Sequence, residues 1–122
     1  MIFLSLGFQS KYGEKNNGNI YEVLTQWRRD TLGNTFRNYK NTTMLVDKLC
    51  LQDKNIEEVI GILGKPNKVH FSKKNILNQI EYYTETGVTA KGEIIDTIDY
   101  CVASFILSEK NLNKAHFSYV CK

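Results

Sequence analysis

The spacing of apolar residues changes at Gly64-Lys65-Pro66, and this change constrains the fold more than any other feature of the sequence. Before it, in NIEEVIGIL, Val59 and Leu63 follow Ile56 by three and seven positions, which is the spacing of one helical face. Glycine followed by proline favours helix termination, because glycine adopts positive φ and proline cannot continue a helix. We therefore expect helices before residue 64 and a different kind of structure after it.

Both ends of this helix have a sequence signal. Asn55 is a residue type that caps helices, and Glu58 can reach back to the Asn55 backbone, as in a capping box. The end, GILGK, resembles part of a phosphate-binding loop, but two residues instead of four separate its glycines, and Pro66 stands where a Ser or Thr is needed. We therefore interpret Asn55, Glu58, Gly64 and Pro66 as a helix cap and stop, not as a nucleotide site.

Two earlier segments have weaker helical patterns. Residues 20–30, IYEVLTQWRRD, place Trp27 and apolar neighbours on one side of a short helix, and TLGN then predicts a turn at Gly33 and Asn34. The next segment, TFRNYKNTTMLVDKLCL, predicts a second helix. One face of that helix is expected to carry Phe36, Tyr39, Thr43, Val46 and Cys50.

Beyond Pro66 the chain is rich in Ile, Val, Tyr, Phe and Thr, which favour strands. Four such segments, KVHFS, ILNQIEYYTE, IIDTIDYCVASFIL and KAHFSYVC, are separated by polar turns. No helical segment lies between them, which excludes parallel crossover connections. The sequence thus predicts an α+β fold, in which two or three N-terminal helices pack on a C-terminal antiparallel meander of three to four strands.

The 122 residues are enough for one hydrophobic core, and we assign a single α+β domain to residues 20–122. Residues 1–19 are interpreted as an N-terminal tail or the remnant of an export signal. Their apolar run, MIFLSLGF, is too short to span a bilayer and lacks the basic start of a secretion signal. It fits the tail of an export signal as well as an N-terminal strand or frayed end, and both interpretations stay open.

The last two strand segments fit one register. With a turn centred near Asn111, Phe105 faces Phe117, Cys101 faces Cys121, and one face of the hairpin is wholly apolar. Cysteines opposite each other on neighbouring strands lie near the separation that a disulfide needs. Cys101 and Cys121 are therefore a candidate disulfide, which would place the protein outside the cytosol; the alternative is a pair of buried reduced thiols. The remaining pairs are Leu107 with Ala115 and Ala103 with Tyr119.

The opposite face of the same strands is half apolar, which is more than a solvated sheet needs. Either the protein's own loops, its N-terminal segment or another chain covers this face, or it is an exposed patch that binds a partner. Coverage by the protein's own loops is favoured, because the N-terminal third has aromatic residues to spare. The candidate interaction face consists of Tyr100, Val102, Ile106, His116 and Val120.

Residues that could carry catalysis lack the necessary arrangement. A cysteine nucleophile needs a histidine base nearby, but in this register His116 points away from Cys101 and Cys121. A catalytic pair of Cys50 with His70 or His116 remains possible in principle, but the sequence offers no group that would orient the histidine base. No metal-ligand spacing occurs among the cysteines. We therefore expect no catalytic residue, no metal and no cofactor.

The net charge of +3 arises from basic residues scattered among 13 acidic ones, without a basic run longer than two. This distribution predicts no strong electrostatic partner. Trp27-Arg28-Arg29 is not accompanied by the aromatic and glycine signature of an RNA-binding sheet. We therefore expect no nucleic-acid partner.

The run from Leu49 to Val69 resembles the signature of the SmpA/OmlA (BamE-like) outer-membrane lipoprotein family. That family has a capped helix of the form T/S-x-x-x-V-x-x-x-L-G-x-P before a small antiparallel sheet. The later strands follow the family's order of elements, so the resemblance covers about residues 45–121. The two-helix-plus-sheet unit also resembles one repeat of the β-lactamase inhibitor protein fold. The positions that match the motif are Asn55, Val59, Leu63, Gly64 and Pro66.

The resemblance implies a non-enzymatic protein of the bacterial cell envelope, periplasmic or associated with the outer membrane, that binds a protein partner or its own copies. Family members are often tethered by a lipidated N-terminal cysteine, so membrane contact is expected only through an N-terminal tether. This sequence departs from the family there, because no cysteine follows MIFLSLG. The alternative is a small inhibitor or ligand-binding domain that presents a loop such as Thr86 to Glu93 to an enzyme cleft. An enzyme that uses Cys50 ranks last.

Overall fold

The structure is a computed structural model that describes residues 19–86 and 100–121. Within these ranges, three helices precede a four-stranded antiparallel sheet, which confirms the α+β fold predicted from the sequence. Residues 94–99 of the third predicted strand segment lie outside the described residues. The elements are α1 (Ile20–Arg29), α2 (Tyr39–Lys48), a 3-10 helix (Leu51–Asp53), α3 (Ile56–Leu63), β1 (Lys68–Phe71), β2 (Leu77–Thr84), β3 (Cys101–Ser108) and β4 (Asn111–Cys121).

Helix α3 begins and ends where the sequence indicates. The Glu58 amide donates to Asn55 Oδ1 (2.8 Å) and the Asn55 amide donates to Glu58 Oε1 (2.9 Å), so the capping box forms. Gly64 follows the helix with φ +94° and ψ −173°. The positive φ expected of a glycine that ends a helix is confirmed, but Gly64 does not adopt the left-handed helical conformation that commonly accompanies it. The backbone at Gly64 is extended, in a region that is essentially restricted to glycine.

Two side chains bind carbonyls that the end of α3 leaves free. Arg28 Nη1, from α1, donates to Ile62 O (2.7 Å), and the Tyr82 hydroxyl, from β2, donates to Gly64 O (2.7 Å). Burial raises the pKa of Tyr82 against the opposing effect of Arg37 and Arg28, so its hydroxyl stays a neutral donor. The end of α3 thus joins α1 and β2.

The buried face of α2 differs from the prediction. The helix buries Thr42, Leu45 and Val46, whereas Tyr39 is 59% exposed and Cys50 lies beyond the helix, exposed, with φ +52°. Of the face predicted from the sequence, Val46 alone is buried. The reason is a hydrogen bond from the Trp27 indole to Thr42 Oγ1 (3.0 Å), which turns a polar residue towards the core. The spacing of apolar residues in the sequence does not reveal such a contact.

The sheet is a meander in the order β1-β2-β3-β4. Phe105 faces Phe117 and Cys101 faces Cys121, which confirms the predicted register along most of the last hairpin. The prediction of a turn centred near Asn111 was wrong. The turn consists of residues 109–110, and residues 112–115 of β4 lie opposite Leu107, so Leu107 and Ala115 do not form a regular pair.

Contacts at the outer edge of β4 account for this shift. The Ala115 amide donates to Lys54 O (2.8 Å), and the Phe117 amide donates to Gln52 Oε1 (3.2 Å). These bonds hold β4 against the segment between α2 and α3. The additional residues before Ala115 therefore form an irregular bulge next to the turn.

The helices cover the sheet face that carries Ile80, Tyr82 and Phe105, each 0% exposed. The ring of Tyr82 lies 5.0 Å from that of Trp27 and 6.2 Å from that of Phe105, centroid to centroid. Edge-to-face contacts of this kind stabilise a core beyond the area that they bury. The other fully buried members of the core include Leu45, Leu51, Ile56, Val59, Leu63, Ala103 and Ala115.

One carboxylate holds the loop between α1 and α2. Asp30 is 6% exposed and accepts the amides of Asn34 (3.0 Å), Thr35 (3.0 Å), Phe36 (2.8 Å) and Arg37 (2.9 Å). Burial acts to raise the pKa of Asp30, but the four amide donors together outweigh it and hold the pKa below its usual value of 3.8. The loop is therefore built around an ionised carboxylate.

The Arg37 side chain is 3% exposed and lies against aromatic rings. Its guanidinium carbon is 4.1 Å from the centre of the Trp27 ring and 5.6 Å from that of Tyr82. Nε donates to Trp27 O (2.7 Å), and Nη1 donates to Asn67 Oδ1 (3.2 Å). Burial lowers the pKa of Arg37, and nearby Asp30 partly offsets this, so the guanidinium remains charged.

The same loop is bound directly to the sheet. Asn67 Nδ2 donates to Thr31 O (2.8 Å), the Tyr83 amide donates to Asn67 Oδ1 (2.8 Å), and the Thr86 amide donates to Gly33 O (2.9 Å). Gly33 has φ +74°, and a Cβ there would lie 2.2 Å from Tyr83 O. This close approach requires glycine, in agreement with the turn predicted from TLGN.

We expect Gly33→Ala to lower the free energy of unfolding by more than about 2 kcal/mol, because the methyl group meets backbone and φ is strained. Gly61→Ala is the matched control. Gly61 lies within α3 with nothing within 4 Å of an added Cβ, so alanine should raise the stability by about 0.5–1 kcal/mol. Chemical denaturation measures both changes. A Gly33→Ala variant as stable as the wild type would contradict the contact between this loop and β2.

Asp30→Asn should lower the free energy of unfolding by about 1–3 kcal/mol at about pH 7, because a neutral amide cannot replace both acceptor oxygens. Because folding lowers the pKa of Asp30, the ionised carboxylate contributes its full stabilisation of the folded state above the usual pKa of 3.8. This stabilisation is lost as pH falls through the folded-state pKa. Denaturation at a series of pH values should therefore give a difference between wild type and variant that shrinks below about pH 4. A constant difference would contradict this assignment.

Candidate functional site

The predicted interaction face lies on the side of the sheet opposite the helices, and we call it the far face. Val102 lies across from Val120, and Ile106 lies across from His116. Side chains alternate between the two faces along a strand, so these four residues lie on the face of the sheet that the core residues of β3 and β4 do not share. His116 and Val120 are exposed, and Ile106 is half-buried. The structure therefore brings these predicted residues together.

Tyr100 belongs to the same face, since its ring lies 5.7 Å from that of Tyr83, whose backbone pairs with Val102. Val102 itself is 3% exposed, so it offers little surface to a partner. It lies on an inner strand, between Tyr83 on β2 and Val120 on β4. Val120, at 49% exposed, is the accessible apolar side chain of the pair.

The hypothetical pairing of Cys50 with a histidine base does not form. His116 lies on the far face, and so does His70, whose Nε2 is 3.5 Å from Glu81 Oε1. Cys50 lies on the helix side of the sheet, where it borders a shallow depression together with Phe117. The sheet separates this thiol from both imidazoles.

Cys101 and Cys121 lie directly opposite each other, and their sulfur atoms are bonded at 1.96 Å. Cys101 is 6% exposed, and the bond ties the start of β3 to the end of β4. A disulfide that closes a loop of this size stabilises a folded chain by about 2–4 kcal/mol. The structure thus contains the disulfide rather than the alternative of two reduced thiols.

A second candidate surface lies on the helix-covered side of the sheet, where the β1–β2 and β3–β4 turns lie side by side. An open groove of about 620 Å³ is lined there by Phe71, Ile76, Asn78, Leu107 and Leu112, together with turn residues of both hairpins. We call it the tip groove. Phe71 is 60% exposed, Ile76 41% and Leu112 46%, whereas Leu107 at the base is 8% exposed. Large apolar side chains are thus grouped around a concave surface.

Hydrogen bonds fix both turns at the tip groove. The Ser72 amide donates to Ile76 O (2.8 Å), and the amides of Lys74 and Ile76 donate to Ser72 Oγ (3.2 Å each). In the other turn, the Asn111 amide donates to Ser108 Oγ (3.1 Å). Side chains that bond nearby backbone in this way stabilise turns. The backbone next to the exposed apolar residues is therefore held in place by the protein itself.

The polar lining of the tip groove is uneven. Lys73 and Lys74 are exposed on the β1–β2 turn, and Glu109 is exposed on the β3–β4 turn. Asn78 Oδ1 is buried and accepts no hydrogen bond from the described part of the chain. An unpaired buried amide oxygen of this kind costs about 1–3 kcal/mol of stability.

A different polar cluster lies at the other end of the sheet. The Tyr119 hydroxyl donates to Glu85 Oε2 (2.5 Å) and lies 2.7 Å from Thr84 Oγ1, and the Tyr39 amide also donates to Glu85 Oε2 (3.0 Å). Burial and the Glu85 carboxylate raise the pKa of Tyr119, so its hydroxyl stays protonated at neutral pH. This cluster connects β4, the end of β2 and the start of α2.

No protein-family model matches the chain, and no curated protein or solved structure matches it significantly. The resemblance to the SmpA/OmlA family therefore stays a prediction. Within residues 19–86 and 100–121, no helix is long and apolar enough to cross a membrane, and no three His, Cys, Asp or Glu side chains are grouped as metal ligands would be. Of the loop from Thr86 to Glu93, only Thr86 is among the described residues.

The tip groove was missed in the sequence, although one signal indicated it. Leu112 is an apolar residue inside the predicted polar turn SEKNLN. The shorter turn observed places it in β4, where the bulge leaves it exposed. A large apolar residue within a predicted polar turn is the sequence signal that could have indicated this groove.

We expect the native protein to have one reactive thiol. Cys50 is free and exposed, so alkylation without reductant should modify one cysteine, and alkylation after reduction and unfolding should modify three. Intact-mass measurement counts the added groups, and peptide mapping assigns the first of them to Cys50. Three modified cysteines without reductant would exclude the bond between Cys101 and Cys121.

Proposed function

We propose that this chain is a non-enzymatic protein-interaction module of the bacterial cell envelope, and that the tip groove is its binding surface. The observation that carries the proposal is the exposure of Phe71, Ile76 and Leu112 around one groove. Burying apolar surface against a partner contributes about 25 cal/mol per Å². Grouped exposed apolar residues that border a concave surface are typical of sites that bind other molecules.

The rigidity of the two turns supports the same proposal. Ser72 and Ser108 hold their turns through bonds to backbone amides, so the backbone next to the apolar side chains needs little ordering when a partner binds. Ordering flexible segments is a major cost of association. A groove formed in advance retains more of the free energy of burial as affinity.

The cell-envelope location is supported by the disulfide and by the family resemblance. Disulfides persist in oxidising compartments such as the periplasm, and Cys101 and Cys121 are bonded in the structure. The resemblance from Leu49 to Val69 points to the same compartment. The partner is proposed to be another protein or a second copy of this chain.

The far face is the competing surface. It offers Val120, which is 49% exposed, and the half-buried Ile106, but Val102 between the neighbouring strands is buried. The tip groove offers three large apolar side chains that are each more than 40% exposed. We therefore assign the main contact to the groove.

Phe71→Ser and Leu112→Ser test the tip groove, and Val120→Ser is the matched control. Val120 and Leu112 have similar exposure, 49% and 46%, but Val120 lies on the far face. Each variant would be expressed with a tag in the native host and cross-linked in cells. Quantitative mass spectrometry measures the recovered partner, and sedimentation measures self-association. We expect each groove variant to lose about tenfold or more in association, equivalent to about 1.4 kcal/mol, and Val120→Ser to behave as the wild type.

Circular dichroism and thermal unfolding should be unchanged in the three variants, because all three positions are exposed. Loss of association in Val120→Ser alone would place the contact on the far face. Equal association of the wild type and both groove variants would contradict the proposed role of the groove.

A further inference from the structure

The chain covers only part of the outer edge of β4. The Ala115 amide donates to Lys54 O (2.8 Å), and the Phe117 amide donates to Gln52 Oε1 (3.2 Å). Neither acceptor belongs to β3, so the backbone N–H groups of Ala115 and Phe117 point away from that strand. The segment from Gln52 to Lys54 therefore occupies this edge as far as Phe117.

Beyond Phe117 the edge is open. Backbone groups alternate in direction along a strand, so those of Tyr119 and Cys121 point outwards like those of Phe117. The Cα atoms of Cys101 and Cys121 lie 3.9 Å apart, which agrees with a cross-strand pair that shares no backbone hydrogen bond. In residues 19–86 and 100–121, no group outside the sheet accepts a hydrogen bond from the amides of Tyr119 or Cys121. We call residues 118–121 the open edge.

We propose that the open edge binds an extended segment of a partner polypeptide, which adds a fifth strand to the sheet. This surface differs from the tip groove, which lies at the other end of β4, so the inference goes beyond the proposed function. Outward N–H and C=O groups recur about every 7 Å along a strand. Another extended backbone presents acceptors and donors at the same spacing, whereas a lipid surface or a bound ion does not.

The protein's own chain already pairs with this edge. Lys54 has an extended backbone, with φ −119° and ψ 155°, and its carbonyl accepts from Ala115 as a neighbouring strand would. At Phe117 the side chain of Gln52 takes the place of backbone, because the chain forms the 3-10 helix there. An extended partner segment would continue the pairing at Tyr119, where the protein's own segment ends.

An aromatic surface adjoins the open edge on the helix side of the sheet. Tyr39 is 59% exposed, and its ring lies 5.1 Å from that of Tyr119. Directly paired residues of neighbouring strands have their side chains on the same face, so the partner residue opposite Tyr119 lies beside these rings. Aromatic and β-branched side chains form favourable pairs of this kind. The bound segment is therefore expected to carry such a residue at that position.

The open edge is fixed before a partner binds. The disulfide between Cys101 and Cys121 ties the end of β4 to β3. The Tyr119 hydroxyl donates to Glu85 Oε2 (2.5 Å) and lies 2.7 Å from Thr84 Oγ1. Ordering flexible groups is a major cost of association, so a fixed edge retains more of the free energy of strand pairing as affinity.

The length of the open edge favours a short segment over a second copy of this chain. Edge pairing along residues 118–121 buries much less than the roughly 1,200 Å² or more of a stable protein–protein interface. Two folded copies joined by this edge alone would therefore separate readily. A peptide in an added strand is recognised both through its backbone and through alternate side chains, which suits a short site.

Amide hydrogen exchange, followed by NMR on the full-length oxidised protein, tests whether the edge is open. The Tyr119 amide should exchange about tenfold faster than those of Ser118 and Val120, which point to β3. Phe117 is the control, because its amide also points outwards but already has an acceptor, and it should exchange more slowly than Tyr119. Equally slow exchange along residues 117–120 would show that the edge is covered and would overturn the inference.

The binding probe comes from a display library of random short peptides selected on the full-length oxidised protein. Peptides that bind the Phe71→Ser/Leu112→Ser variant as strongly as the wild type are kept, because they do not need the tip groove. The most enriched of them, synthesised with a fluorophore, is used in anisotropy measurements. We expect it to contain aromatic or β-branched residues and to slow the exchange of the Tyr119 amide. A selection that enriches no such peptide would contradict the inference.

Replacing single amides by esters tests the backbone directly. Residues 101–122 are synthesised and ligated to the rest of the chain at Cys101. An ester at Tyr119 removes its outward N–H and keeps its side chain, so affinity for the probe should fall about tenfold while the denaturation midpoint stays nearly unchanged. An ester at Val120 is the matched control. It removes an N–H that points to β3, so it should lower the midpoint and leave the affinity unchanged.

Tyr39→Ser tests the aromatic contact. It should weaken binding of the probe about fivefold, because the residue opposite Tyr119 loses one of its two neighbouring rings. Tyr21→Ser is the matched control at another exposed tyrosine, 70% exposed on α1, and it should bind the probe as the wild type does. Equal affinity of all three proteins would contradict the assigned position of the segment.

Two further results would overturn the inference. In the first, the probe binds without slowing the Tyr119 amide or tolerates the ester at Tyr119, and the contact then lies elsewhere. In the second, the exchange of Tyr119 slows as the protein concentration rises without any peptide, and the occupant is then a second copy. Neither result bears on the tip groove, whose variants and partner recovery are measured separately.

Discussion

The ionised carboxylate of Asp30 is the interaction on which the arrangement of helices and sheet depends. It accepts four consecutive backbone amides and thereby fixes the path of the chain between α1 and α2. That path carries Arg37 back to Trp27 and Asn67. It also brings Gly33 against the backbone of β2. A buried charge that is fully hydrogen-bonded can thus set a whole loop, because an alternative path would leave the carboxylate without donors.

The tip groove follows from the lengths of the elements. None of the described helices exceeds ten residues, and a helix of that size is about 15 Å long. β3 has eight residues and β4 has eleven, so these strands extend over about 26 Å or more. Since Tyr82 and Arg28 anchor α3 towards one end, the short helices leave the turns at the other end uncovered. The exposed surface is therefore a consequence of local structure and not an isolated irregularity.

The sequence predicted those features that depend on neighbouring residues or on strict alternation. The capping box at Asn55, the need for glycine at residue 64 and the opposition of Phe105 to Phe117 belong to this class. The buried face of α2, the bulge before Ala115 and the burial of Arg37 depend on partners far away in the chain. Spacing rules contain no information on such partners, which is why these features and the tip groove were not predicted. The far face was predicted as a set, because strand alternation alone places its members on one side of the sheet.

The two amides that β4 directs outwards at Ala115 and Phe117 have a consequence for aggregation. Unpaired strand edges can add further strands from other molecules without limit, as in amyloid. Here the segment from Gln52 to Lys54 already occupies those donors. A strand from another molecule therefore cannot pair with β4 through these two amides.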